Sequence, residues 1–81
     1  MRVTVHLFAR ARDLVGASAV TVDLPDGATV ADLRRALAAG YPALGPILDR
    51  SAVAVDNDFA DDALVLPSSP EIALLPPVSG G

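Results

Sequence analysis

The sequence predicts an α+β domain in which one helix packs across a mixed β-sheet. Three features carry that expectation. Short segments of strand character stand at both ends of the chain and again near Val20 and Val53, the first and the one at Val20 alternating apolar and polar residues. A single long helical pattern lies between them. The 81 residues leave room for one small core and little more.

Arg2-Val3-Thr4-Val5-His6-Leu7-Phe8 repeats every second residue, with Val3, Val5 and Leu7 on one face and Thr4, His6 and Phe8 on the other. Ala9 to Val15 is rich in helix formers and stops at Gly16, so a short helix follows the first strand. Ala19-Val20-Thr21-Val22-Asp23-Leu24 alternates again, as in a sheet with one covered face, and Pro25-Asp26-Gly27 turns the chain. The main helix is expected over Val30 to Ala39. Thr29 is placed to cap it and Asp32 to answer from three residues on. Val30, Leu33, Leu37 and Ala38 supply its apolar stripe, flanked by Arg34 and Arg35, and Gly40 ends it. That stripe is expected to cover the face carrying Val3, Val5, Leu7, Val20, Val22 and Leu24.

Tyr41 to Arg50 reads as a connection in which Pro42 and Pro46 block a new helix while Leu44, Ile47 and Leu48 pin it to the core. Ala52-Val53-Ala54-Val55 is a short strand and Asp56-Asn57-Asp58 a polar turn. Phe59 and Leu64-Val65-Leu66 are further apolar anchors. After the loop Pro67-Ser68-Ser69-Pro70 comes the last strand, Glu71 to Leu75, and then Pro76-Pro77-Val78-Ser79-Gly80-Gly81. A β-grasp fold fits this order: residues 1–76 as the domain and 77–81 as a protruding, flexible Gly-Gly tail.

Composition excludes several functions. With no cysteine there is no disulfide, thiolate zinc site, iron–sulfur cluster or thiol nucleophile. The formal net charge of −4 argues against binding a nucleic-acid backbone. The apolar runs are far shorter than the roughly 20 residues that span a bilayer, so no membrane role is expected. The strand pattern begins at once, without a signal-peptide core, and a soluble cytoplasmic protein is expected. His6 is the only histidine and has no second strong ligand in view. Asp56, Asp58, Asp61 and Asp62 lack the Gly and closing Glu of a helix-loop-helix calcium loop and read as a solvated turn, so no metal is expected.

The ending is the informative part. Pro76 and Pro77 hold the chain extended as it leaves the last strand, and Ser79-Gly80-Gly81 has almost no side-chain bulk. A frayed terminus is the plain reading. A stiff exit followed by a tip of minimal width also suits insertion into a narrow channel, where a Cβ would meet the walls. The carboxylate at such a tip can be activated as an acyl-adenylate. With neither Cys nor Lys in the chain, no internal thiol or side-chain amine competes for it.

Several stretches resemble the family of molybdopterin synthase small subunits, β-grasp sulfur carriers related to ubiquitin and to the thiamine-pathway sulfur carrier. They are residues 7–16 (Leu7 to Gly16), Thr29 to Leu33, Ala54 to Phe59 and, most specifically, Glu71 to Gly81. Asp56 stands where the family usually has Asn, and Ser69-Pro70-Glu71 where it commonly has Gly-Asp-Glu. The resemblance implies that a ubiquitin-activating-like adenylyltransferase consumes ATP to adenylate Gly81, which becomes a thiocarboxylate. The tail then enters the large subunit of molybdopterin synthase and gives its sulfur to cyclic pyranopterin monophosphate. The chain would be a co-substrate with no bound cofactor, the catalytic side chains belonging to the large subunit. Gly80 would give clearance, with Ser79, Val78, Pro77 and Pro76 aiming the tail. Phe8, Phe59, Leu74 and Leu75 are candidates for a partner-facing apolar patch, although Phe59 and Leu75 fit the core equally well. The alternatives are a carrier for another recipient (thiamine, tRNA thiolation, cysteine synthesis, protein conjugation) and an interaction module with an accidental Gly-Gly end.

Overall fold

The computed structural model describes residues 1–77, and the tail positions Val78, Ser79, Gly80 and Gly81 lie outside the described residues. The elements in chain order are β1 (Arg2–Leu7), α1 (Ala9–Val15), β2 (Ala19–Asp23), α2 (Val30–Gly40), a 3-10 turn (Pro42–Leu44), α3 (Gly45–Leu48), β3 (Ala52–Val55), β4 (Asp58–Ala60) and β5 (Glu71–Leu75). The strands form one mixed sheet in the order β2-β1-β5-β3-β4. β1 pairs antiparallel with β2 and parallel with β5; β3 pairs antiparallel with β5 and β4. This is the β-grasp arrangement, with the last strand threaded into the middle of the sheet.

Alternation decides which face is covered. Val3, Val5 and Leu7 of β1, Val20 and Val22 of β2, Val53 and Val55 of β3, and Ile72 and Leu74 of β5 all point inward and are buried. Val30, Leu33 and Leu37 of α2 pack onto them. Ala38 is exposed, and the partly buried Ala36 joins the core instead. The helix starts where a capping box forms: the Thr29 amide donates to Asp32 Oδ2 at 2.9 Å and the Asp32 amide to Thr29 Oγ1 at 3.2 Å. The hydrogen bond from the Thr29 amide, with the Arg35 guanidinium beside it, holds the Asp32 carboxyl below the usual carboxylate range.

One expectation fails in the connection after α2. Pro42 and Pro46 do not keep the chain from turning helical, because each stands in a first turn, where a missing N–H costs nothing. The resulting 3-10 turn and α3 bury Leu44, Ile47 and Leu48, as their apolar character requires. β4 is a further surprise. Asp56 and Asn57, at φ 49° and 73°, form a two-residue hairpin turn that folds Asp58–Ala60 back along β3. Of the expected anchors beyond it, only Leu66 is buried; Leu64 and Val65 are exposed. Among the described residues, no helix is long and apolar enough to cross a membrane.

Candidate functional site: the open sheet face and the strand exit

Among the described residues, no helix lies over the side of the sheet away from α2. Residues that alternate out of the core line up there in rows set by the strand register. Ala19, His6, Ala73, Ala54 and Phe59 form one row, since His6 pairs with Ala19 and Ala73, and Ala54 with Ala73 and Phe59. The next row toward the exit of β5 contains Leu75 and its partner Ala52, with Phe8 following Leu7 on the adjacent strand. At the opposite end the face turns polar with Arg2, Thr4 and Glu71.

Small residues at the centre and large ones at the margins give this face its relief. Ala54 and Ala73 are too short to fill the space between Phe8 and the Asn57 turn, and a dimple of about 140 Å³ lies over them, bordered also by His6. Phe8 is 46% exposed and Phe59 78% exposed. Phe8 holds extended backbone (φ −125°, ψ 156°), so it continues the outward alternation of β1, and Ala9, at φ 50°, turns the chain immediately after it. Phe59 is outward because it sits opposite Ala54 on the edge strand, where among the described residues no further strand or helix closes over it.

The structure sorts the expected partner-facing residues. Phe8 and Phe59 are exposed, and Leu75 is half-buried on the same face. Leu74 is a correction: it is fully buried, paired with Leu7 and Val53 in the inward layer. The reason is the two-residue period of a strand, which cannot put neighbours Leu74 and Leu75 on one face. Phe59, which fitted core and surface equally on sequence, belongs to the surface. His6 stands on this face as its alternation predicts, whereas Ala54 and Ala73 carry no individual signal for it. Their signal was the alternation of Ala with Val in β3 and of Ala with Ile and Leu in β5, readable once the inward face was known.

Pro76 is half-buried and Pro77 exposed, directly beyond the end of β5. Because β5 is central and parallel to β1, this exit lies beside the C-terminal end of β1 and Phe8, at the apolar end of the open face. The Asp56-for-Asn departure is accommodated at the other end of β5. Asp56 Oδ1 accepts from the Glu71 amide at 2.9 Å, and the Asp56 amide donates to the Glu71 carbonyl at 2.8 Å. Ser69 takes the left-handed conformation (φ 51°) in the turn where the resembled family commonly has glycine. Among the described residues, no group of three His, Asp or Glu side chains could hold a metal ion.

Comparison with known proteins agrees with this architecture. The molybdopterin synthase sulfur carrier subunit of Arabidopsis thaliana is 31% identical over 81 residues, covering 100% of this chain and 84% of that protein. The crystal structure of SAMP1 from Haloferax volcanii superposes with a TM-score of 0.88 at 31% identity and full coverage of both chains. The complex of subunits 1 and 2 of the molybdopterin-converting factor from Helicobacter pylori contains a chain that superposes with a TM-score of 0.69 at 26% identity, again with full coverage. The ThiS family pattern matches residues 5–81. With the family pattern matched over nearly its whole length, the chain belongs to the ThiS family of β-grasp sulfur carriers, non-catalytic subunits of molybdenum cofactor biosynthesis among them.

Proposed function

We propose that this chain is the sulfur-carrier subunit of a molybdopterin synthase, with Gly81 as the reacting residue. A Gly81 carboxylate oxygen attacks the α-phosphorus of ATP on an adenylyltransferase, and pyrophosphate leaves. A sulfide-level sulfur nucleophile then attacks the acyl carbon, AMP leaves, and a thiocarboxylate remains. That sulfur is passed to cyclic pyranopterin monophosphate on the large subunit, and water returns the carboxylate. Two deliveries supply the two sulfurs of the dithiolene.

The observation that best supports this reading is the exit of β5 from the centre of the sheet, beside an uncovered apolar face carrying Phe8, Leu75 and Phe59. A partner seated on that face receives whatever follows Pro77 at a fixed place. The partner of this reading resembles subunit 2 of the Helicobacter pylori complex. The chain carries no cysteine, and the pterin chemistry is assigned to that large subunit. We assign it to the cytoplasm, where its proposed partners act.

Intact mass spectrometry tests the proposal directly. After incubation with the adenylyltransferase, ATP and a sulfide donor, one oxygen is expected to be exchanged for sulfur on a C-terminal fragment, and the product to convert the pterin when the large subunit is added. An unchanged mass refutes the carrier reading. A thiocarboxylate that forms but never converts the pterin refutes the recipient. The likeness to SAMP1, a small archaeal modifier protein, favours one second reading: attachment of the activated Gly81 to an amine of another protein. It predicts an isopeptide-linked conjugate in the same incubation once a lysate is supplied.

A further inference from the structure

A second concave site lies at the edge of the sheet, beyond the open face. It is a groove of about 480 Å³ between β4 and the segment running from Leu64 to Pro67. Phe59, Leu64 and Val65 line it, three of the four large apolar side chains exposed on the described surface; Leu64 is 41% and Val65 56% exposed. Isolated exposed apolar residues are ordinary, but three converging on one groove are a feature of docking surfaces.

Its charge is one-sided. Asp56, Asp58 and Asp61 line the groove, and no Arg or His does. The Arg34 guanidinium is engaged by Asp62 at 2.8 Å and by the Leu48 carbonyl. Asp56 and Asp61 each accept a backbone amide, from Glu71 and from Ala63, which orients them without neutralising them. The backbone of the edge is also available. In a two-residue hairpin the residues flanking the turn, Val55 and Asp58, are the hydrogen-bonded pair, so the next pair, Ala54 and Phe59, is not. The N–H and C=O of Phe59 therefore point away from β3, toward the groove side of the edge.

We propose that this groove docks an extended segment of a partner protein that alternates aliphatic side chains with Arg or Lys. The aliphatic groups lie on Phe59, Leu64 and Val65, the cationic groups reach Asp58 and Asp61, and the main chain bonds to Phe59 as an added strand. A second copy of this chain is a poor occupant, because its net charge of −4 would bring acid against acid. The site is separate from the one used in the proposed sulfur transfer, apart from the shared ring of Phe59, and stands without it.

The test is an amide-shift titration of the isotope-labelled full chain with a short peptide alternating Arg and Val. Two controls alternate Arg with Ser and Glu with Val. The Arg-Val peptide is expected to shift the amides of Asp58 to Asp61 and of Leu64 and Val65, and both controls to leave them in place. The double variant Asp58→Asn/Asp61→Asn keeps side-chain shape and the acceptor for the Ala63 amide. It is expected to bind about fivefold more weakly at low salt, the loss typical of two exposed ion pairs. Equal binding of the Arg-Ser peptide overturns the proposal, since charge alone would then suffice. So does binding of the Glu-Val peptide, a response centred on His6, Phe8 and Ala73, or a concentration-dependent shift of the same amides without peptide, which would mean self-association. The three peptides on the native chain decide the matter even if the double variant does not fold.

Discussion

Leu74 and Leu75 are adjacent in sequence and chemically identical, yet they are assigned to opposite faces of β5. Truncating each to Ala separates the core from the docking face. Leu74 is fully buried between Leu7 and Val53, so Leu74→Ala removes a packed side chain and leaves a cavity costing about 2–5 kcal/mol. A domain of this size has a total stability of roughly 4–12 kcal/mol at the usual per-residue value. A loss of about 3 kcal/mol is therefore a large fraction of the whole, and lowers the melting temperature by roughly 12–24 °C. Leu75 is half-buried on the open face, and Leu75→Ala is expected to cost about 1 kcal/mol or less. The assays are thermal and urea unfolding for stability, and titration against the large subunit for docking. Leu74→Ala should unfold early but, below its melting point, dock normally. Leu75→Ala should stay folded and dock at least tenfold more weakly, as expected for an apolar contact worth about 1.4 kcal/mol or more. Equal destabilisation by the two variants would refute the assignment of faces. Undiminished docking by Leu75→Ala would refute the use of the open face by that partner.

Three further outcomes follow from the same reasoning. Gly80→Ala should leave the melting temperature nearly unchanged while sharply lowering thiocarboxylate formation or sulfur transfer; normal turnover would remove the steric argument for a bare tip. At Asn57, where φ is 73°, Asn57→Val should cost about 1–2 kcal/mol in urea unfolding while Asn57→Gly costs little, because a β-branched residue is strained in that turn. Asp32 has a carboxyl pKa lowered by the Thr29 amide and Arg35, so its contribution to stability is present above the ordinary aspartate pKa and fades as pH falls through the lowered folded value. Asp32→Asn should flatten that part of the stability–pH curve on the acid side, and an unchanged acid slope would show that the capping box contributes nothing to it.

Local chemistry made much of the fold legible. α1 ends at Gly16 because the chain turns left-handed there, at φ 80°. α2 begins at Thr29 because its side chain and that of Asp32 satisfy the first free amides. β3 and β5 have the expected bounds, while β1 ends at Leu7, one residue before its pattern does. β2 ends one residue earlier than its pattern, although Leu24 stays bonded to Met1 through both backbone groups. β4 was not legible. Asp58-Phe59-Ala60 is too short to show a period, and its strand character comes from pairing with β3. The site was legible in part: the exit and Phe8 were visible, whereas the role of Phe59 required knowing that its strand is an edge.

The amino-acid order alone determined the inward layer, the capped helix that covers it, and a terminus built of two prolines and two glycines. These follow from interactions within a few residues, where side-chain period, caps and backbone restriction act. Only the tertiary structure decided that the last strand lies between the first and the third. That pairing gathers Phe8, Leu75 and Phe59 on one uncovered face, leaves Leu74 in the core and opens an acid-lined groove at the edge. Strand order is set by burial of the whole inward layer at once, a property of the assembled sheet that no single segment encodes.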